Sequence, residues 1–227
     1  RLTTGGMVDR TPFSPYHPGA LRYFLKAGFP VEDGAQPPVT DAYAIGTGST
    51  KGAFYPIAGA IGRMVNRHSK ENKFRLQVQT TNGSIQNIKG VSGGFLGFGV
   101  AQNNTLSAAI RGTDAFAGVL PQENLRSVLN LHVGTDIFLV GEDSGIRTIA
   151  DLRGKRLNIG SSDSGHHYDA LCILDHFLPD WRSSVTISET AIDDSISLFV
   201  ERKLDAIFYN FGHPSSQVTH LSNSGRK

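Results

Sequence analysis

Four short segments, rich in glycine, hydroxyl and amide side chains, hold the residues best placed for chemistry. Gly46-Thr47-Gly48-Ser49-Thr50-Lys51-Gly52 separates an apolar run from a stretch of helical periodicity. Small residues let a backbone approach a ligand closely, and a helix N-terminus offers unpaired N–H groups at the positive end of its dipole. Ser49 and Thr50 add hydroxyls, and Tyr55 can wall a pocket. The glycine and lysine spacing of a phosphate-binding P-loop is absent, as are the second and third glycines of a dinucleotide fingerprint. Thr80-Thr81-Asn82-Gly83-Ser84 and Gly160-Ser161-Ser162-Asp163-Ser164-Gly165 share the same strand–loop–helix setting, and Gln102-Asn103-Asn104 follows a glycine-rich run. Ligands of open α/β sheets bind beyond the carboxyl ends of the strands, where all four segments fall. Together they predict a pocket of neutral donors for a small anion, with ordinary polar turns as the alternative.

Arrangements for bond-making chemistry are weaker. Glu142-Asp143-Ser144-Gly145 faintly resembles a serine-protease nucleophile loop, and no Gly-x-Ser-x-Gly elbow occurs. His166 and His167, near Asp163 and Asp169, invite a metal or a triad. Consecutive helical residues point about 100° apart, however, and neither a zincin motif nor paired Cys/His spacing supports them. The pair reads as a solvated helix start. Cys172 lies among Leu171, Ile173 and Leu174 and reads as a buried, inert thiol. As the lone cysteine it excludes an internal disulfide framework and a multi-cysteine zinc site. Lys155-Arg156 and Arg202-Lys203 read as solvated surface, and Arg111 as either surface or a fork for a ligand carboxylate. No catalytic residue, metal ligand or cofactor is expected.

The elements that must position these loops alternate. Ala42–Gly46 reads as a strand, and Ile57, Ala60, Ile61, Met64 and Val65 mark a helix with Pro56 in its first turn. Phe74, Leu76 and Val78 alternate with polar residues as a half-buried strand, and Ser84 can cap a short helix. Phe95–Ala101 reads as a buried strand, Thr105–Ile110 as helical, and Leu125–His132 and Thr135–Val140 as strands. A second series runs from a short turn closed by Gly154 through a strand at Leu157–Gly160 and a helix at His166–Leu178. It continues with a strand at Val185–Ser188, a helix at Ile192–Lys203 and a strand at Ala206–Tyr209. This rhythm predicts α/β layers on largely parallel sheets. Residues 1–41 differ: they hold six of the ten prolines and one short candidate helix at Gly19–Lys26, and read as an irregular arm.

The 227 residues carry 22 basic and 20 acidic side chains, a net charge of +2, which gives no basic footprint for nucleic acid. No apolar run reaches the length of a membrane-spanning helix. The opening Arg1-Leu2-Thr3-Thr4 shows no charged region leading into an apolar core of the export-signal type.

Residues Ile45 to Ile61 strongly resemble the opening of the TAXI family of TRAP-transporter solute receptors: a strand, a glycine–threonine–glycine turn, then Tyr55-Pro56 leading into an Ala/Gly-rich helix. Further matches follow in order at Thr80–Asn87, Val100–Asn103, Asp143–Ile146, Ile149–Arg156, Leu157–Gly165 and Asp205–Phe208, so the resemblance covers about Tyr43 to Pro214. It implies a type II, two-lobed periplasmic-binding-protein architecture. Its implied divisions are an arm at 1–41, a first lobe at 42–141, a second at 142–214 and a tail at 215–227, with a hinge near Val140–Ser144. It also implies a periplasmic receptor that captures a glutamate-like or other small carboxylate and delivers it to TRAP-type permease subunits, without enzymatic activity. By position, the first lobe would contribute Gly48, Ser49, Thr50, Tyr55, Thr81, Gly83, Ser84 and Gln102, and the second Ser161, Ser164 and Gly165.

Phe95-Leu96-Gly97-Phe98-Gly99 departs from the family, which carries an acidic residue and fewer aromatics there. Relatives also continue well beyond Pro214, so the resemblance implies an incomplete first lobe with an open sheet edge. Two alternatives are an α/β hydrolase or transferase acting through the Ser49 or Ser164 loop, and a ligand-sensing regulatory domain. The latter would adjoin a DNA-binding helix-turn-helix, which residues 1–41 do not resemble.

Overall fold

The computed structural model describes residues 41–211 and 215–224, together with Lys26. Apart from Lys26 and Asp41, the arm expected over 1–41 lies outside the described residues, as do 212–214 and 225–227.

Two sheets organise the chain. The first joins β1 (Asp41–Gly46), β2 (Phe74–Gln79) and β3 (Phe98–Gly99) in the order β2-β1-β3, all parallel. Its connections are α1 (Phe54–Arg67), the single turn α2 (Ser69–Asn72) and α3 (Ser84–Ser92), and α4 (Asn103–Arg111) follows β3. The apolar stripe of α1 packs Ala58, Ile61 and Val65 over Ile45, Leu76 and Val100. On α3 and α4, Ile85, Ile88, Ala108 and Ala109 close around Phe116 and Leu125.

The second sheet joins β4 (Thr135–Val140), β5 (Arg156–Asn158), β6 (Thr186–Ser188) and β7 (Ala206–Phe211) in the order β4-β7-β5-β6. β4 runs antiparallel to β7, and the other pairings are parallel. The helices α5 (Gly165–Phe177), α6 (Trp181–Ser184), α7 (Ile192–Val200) and α8 (Ser216–Asn223) complete this half. Side chains alternate across a strand, and β7 uses both faces. Ala206 and Phe208 join Leu157, Leu174 and Trp181 in one core, while Ile207 joins Ile192, Ile196, Phe199 and Leu221 in another. Among the described residues the chain passes from the first half to the second once, over the irregular stretch between Leu125 and Thr135. No described helix is long and apolar enough to cross a membrane.

Four expectations need correcting. The strand expected at Phe95–Ala101 shrinks to Phe98–Gly99, because Phe95 and Leu96 both turn their N–H groups back to Gly90 O (2.8 and 3.0 Å) to finish α3. Leu125–His132 forms no strand: Leu125 is buried, but Val128 and Leu129 stand exposed with no ladder partner among the described residues. Thr135–Val140 pairs in the second sheet, whereas the sequence reading closed the first lobe at 141. Cys172 is exposed. On α5 the core side belongs to Ala170 and Leu174, and a residue two positions from each points to the opposite face.

Candidate functional site

The carboxyl ends of the strands in both sheets face one another, and their loops enclose a cavity of about 80 Å³. Gly48, Ser49, Thr81, Gly83, Ser84 and Gln102 line it from the first half, and Ser161 and Gly165 from the second. Three residues from the sequence reading lie outside this lining. Thr50 is exposed, Tyr55 is half-buried on α1, and Ser164 is buried as the cap of α5, accepting the His167 N–H at 3.2 Å.

Buried asparagines fix the loops. Asn87 donates through Nδ2 to Thr47 O (2.7 Å) and Val100 O (2.8 Å), and its Oδ1 accepts the Thr81 hydroxyl (2.7 Å). One side chain thereby ties together the loops after β1, β2 and β3. Asn158, at the end of β5, holds the loop after β6: its Oδ1 accepts the Thr190 N–H and hydroxyl, each at 3.0 Å. Gly83 enters α3 at φ 116° and ψ −147°, a conformation for glycine alone. The side chain of Ser84 is not the cap of α3. Its Oγ accepts the Gln102 N–H (3.1 Å) and donates to Gln102 Oε1 (3.2 Å), joining α3 to α4.

Five helices begin at this cavity. Phe54 of α1, Ser84 of α3, Gly165 of α5 and Ile192 of α7 line it, and Gln102 immediately precedes α4. First-turn N–H groups lack intrahelical partners and carry the positive dipole end. No lysine or arginine lines the cavity. Three of the hydroxyls expected to act as donors are engaged inside the protein: Ser49 donates to Asp193 Oδ2 (3.0 Å), Thr81 to Asn87 and Ser84 to Gln102, which leaves the Ser161 hydroxyl and the uncapped helical N–H groups to meet an anion. Ser164 donates to Ser161 O at 2.6 Å, away from His166, so it is not set up as a nucleophile.

The two halves touch through polar groups around the rim. Lys89 pairs with Asp163 (3.0 Å), the Gln86 N–H donates to Asp163 O (3.1 Å), and Lys51 stands 3.5 Å from Asp193. Asp169 accepts from Gln102 Nε2 and Asn104 Nδ2, each at 2.5 Å. Burial pushes the Asp169 carboxyl up to about 6 and Asp136 adds to this, while the two amides pull the other way. Replacing Ser49 with alanine removes one contact between the halves and is expected to lower stability by about 1 kcal/mol in a urea titration. A change below the error of that titration would mean that Ser49–Asp193 contributes nothing to holding the halves together.

Several lining residues were not among the expected ligand-binding residues: Gly52, Phe54, His132, His166, Ile192, Tyr209 and Asn210. His166 is the chief correction, because it is not a solvated helix start. Burial drives its ring down to about 3, with neighbouring His167 acting in the same direction, and it keeps accessible surface only in part. The ring edge meets Tyr209 at a centroid distance of 4.5 Å. Burial and the nearby Asp193 in turn push the Tyr209 phenol up to about 12. His167 turns away to Glu189 (3.0 Å), so the two histidines share no ligand. Among the described residues no group of three or more His, Cys, Asp or Glu could hold a metal ion. Arg111 is exposed and does not line the cavity.

A larger open cavity of about 890 Å³ adjoins through Phe54, Gln102, His132 and Asn210. Its walls are chiefly the apolar face of the first sheet and the crossing segment, including Ile45, Leu76, Phe98, Val128 and Leu131.

Residues 45–227 match the NMT1-like family. Similar solved structures include several binding proteins. The alkanesulfonate-binding protein SsuA from Xanthomonas axonopodis pv. citri, bound to MOPS, superposes with a TM-score of 0.52 at 19% identity, covering 85% of this chain and 60% of that one. An ancestral arginine-binding protein bound to arginine gives 0.55 at 12% identity, covering 83% and 78%. A binding-protein component of an ABC phosphonate transporter from Pseudomonas aeruginosa gives 0.51 at 9%, covering 82% and 61%. The mixed α/β fold is thus that of the type II periplasmic binding proteins, and the chain spans about 60% of the length of SsuA.

Proposed function

This chain belongs to the NMT1-like family, and from that premise we propose that it is an extracytoplasmic receptor for a small organic anion. The observation that carries the reading is the convergence of five helix starts on a cavity with neutral walls. Helical N–H groups and dipoles stabilise an anion there without a neutralising cation. The two sheets are the cores of two lobes that meet at the crossing between Leu125 and Thr135, and closure between them buries the ligand.

The cavity of about 80 Å³ suits a small acid group, such as a short carboxylate or sulfonate, and it opens onto the larger one through Phe54, Gln102, His132 and Asn210. The receptor acts in the periplasm and hands its ligand to a membrane permease. The resemblance at Ile45–Ile61 supports a TRAP-type partner driven by an ion gradient. The likeness to a component of an ABC phosphonate transporter supports the second reading, an ATP-driven partner.

Thermal unfolding against acetate, glycolate, succinate, malate, glutamate, ethanesulfonate and phosphate tests the site. A ligand at 100 times its Kd is expected to add about 2.7 kcal/mol. A cooperative transition that none of these anions moves would sink the reading. A Gly165→Ala variant is the matching control. Its added Cβ overlaps the Gln102 side chain and Ser84 Oγ across the cleft, while alanine suits the first turn of α5. Judged against its own ligand-free transition, it is expected to bind the active anion at least tenfold more weakly, about 1.4 kcal/mol. Equal affinity in the variant would show that the halves need not approach as closely as they do here.

A further inference from the structure

Hydrogen positions around His166 can be worked out from its neighbours. The Ser164 hydroxyl has one hydrogen, and it goes to Ser161 O at 2.6 Å. His166 Nε2 lies 3.4 Å from the same Ser164 Oγ. With the serine hydrogen engaged elsewhere, the imidazole must supply the proton of that contact, so the tautomer is Nε2–H. Nδ1 is then a bare acceptor, and it has no hydrogen-bond partner among the described residues. The ring fronts the small cavity. It is held there by the edge of Tyr209 and by Gly160, where any Cβ would overlap the imidazole. Burial keeps the ring neutral, so Nδ1 stays an acceptor through the physiological range.

Ser49 lines the cavity from the other half. It gives its hydrogen to Asp193 and accepts the Lys51 N–H (3.1 Å), so its remaining lone pair can only accept. The walls therefore present two kinds of group: helical N–H donors and the Ser161 hydroxyl, suited to an anionic head, and acceptors at His166 and Ser49. A plain anion satisfies the first set and sets its own negative charge against the second. A molecule that carries a donor next to its acid group satisfies both.

We propose that the ligand is a short acid bearing its own hydroxyl or ammonium beside the anionic group, and that His166 Nδ1 receives that donor. This rests on the small-anion reading above. Sites built to meet a ligand's O–H or N–H reject analogues lacking it, because the buried acceptor is then left unmet. His166 is thus the specificity-determining residue of the pocket.

Calorimetric titration of the full chain with glycolate, glycine and acetate tests this. Either glycolate or glycine is expected to bind at least tenfold more tightly than acetate, and which of them does so separates hydroxyl from ammonium. In His166→Phe that preference falls below threefold through loss of the hydroxyl or ammonium acid's affinity, with acetate bound no more weakly than by the wild type. His166→Gln keeps an acceptor at similar length and restores part of the preference, which also guards against a misfolded phenylalanine variant. Equal binding of all three by the wild type overturns the proposal, as does a uniform loss for all three in His166→Phe, the mark of a structural role. If succinate or phosphate binds but none of these three does, the donor proposal falls and the anion receptor stands. If no anion binds, both fall.

Discussion

Replacing Asn87 with leucine is expected to lower the unfolding free energy by about 3 kcal/mol. Asn87 is fully buried, and its side chain makes three hydrogen bonds to groups from three separate loops. Leucine leaves Val100 O without that partner and takes the acceptor from the Thr81 hydroxyl. It also has nowhere to branch. A Cβ at Gly46 would overlap Asn87 Oδ1, and one at Gly99 would lie 3.0 Å from Asn87 Cβ, so the backbone already lies against this side chain. Asn87→Ala avoids the crowding but keeps the unmet carbonyl, so it should lose somewhat less. Urea midpoints for both variants check the argument, and a loss below 1 kcal/mol in Asn87→Leu would show that water replaces the network.

Acid is expected to act on this protein through two buried groups that offset each other. His166 sits near 3 in the folded protein against an ordinary 6.5, so below 6.5 the unfolded chain takes up a proton that the native ring refuses. That contribution is fully present above 6.5 and is lost as pH falls toward 3, at up to about 1.4 kcal/mol per pH unit. Asp169 runs the other way. Raised to about 6 from 3.8, it binds its proton first in the native state, so stability is gained as pH falls from about 6 to 3.8. Over that shared window the two slopes cancel and their joint contribution is nearly level. His166→Gln exposes the Asp169 slope, so the variant gains stability relative to wild type on going from pH 6 to pH 4. Asp169→Asn exposes the His166 slope and makes the protein acid-labile over the same range. Parallel pH profiles for wild type and both variants would refute the pairing. Asp175, Asp180 and Asp205 are held low chiefly by their arginine partners, so their contributions disappear only below 3.8.

Four of the loops that line the cavity were legible in the sequence because each lies at a strand-to-helix junction with its own glycine, hydroxyl or amide signature, whereas the loop ahead of α7 was not singled out. His132, Tyr209 and Asn210 carry no such signature and reach the cavity only through the fold of the second sheet and the crossing segment. His166 was visible as a residue but not as a buried one, since nothing local announces that Tyr209 will lie across its ring. Leu125–His132 has the apolar content of a strand, but a strand also needs a neighbour to receive its hydrogen bonds, and periodicity carries no information about that. The position of Cys172 could have been read. Its offset from Ala170 and Leu174 on a 3.6-residue helix already points it outward.

Among the described residues a single crossing joins the halves, and it turns closure into a problem of tethered association. Two surfaces joined by one short segment meet at an effective concentration in the millimolar range, without any partner having to be found by diffusion. The rim contacts, Lys89–Asp163 and Ser49–Asp193 among them, can therefore each be weak and still hold the halves together. Cutting the tether would change the order of the reaction: closure would become bimolecular, and an anion in the cleft would act as an adhesive between two separate pieces.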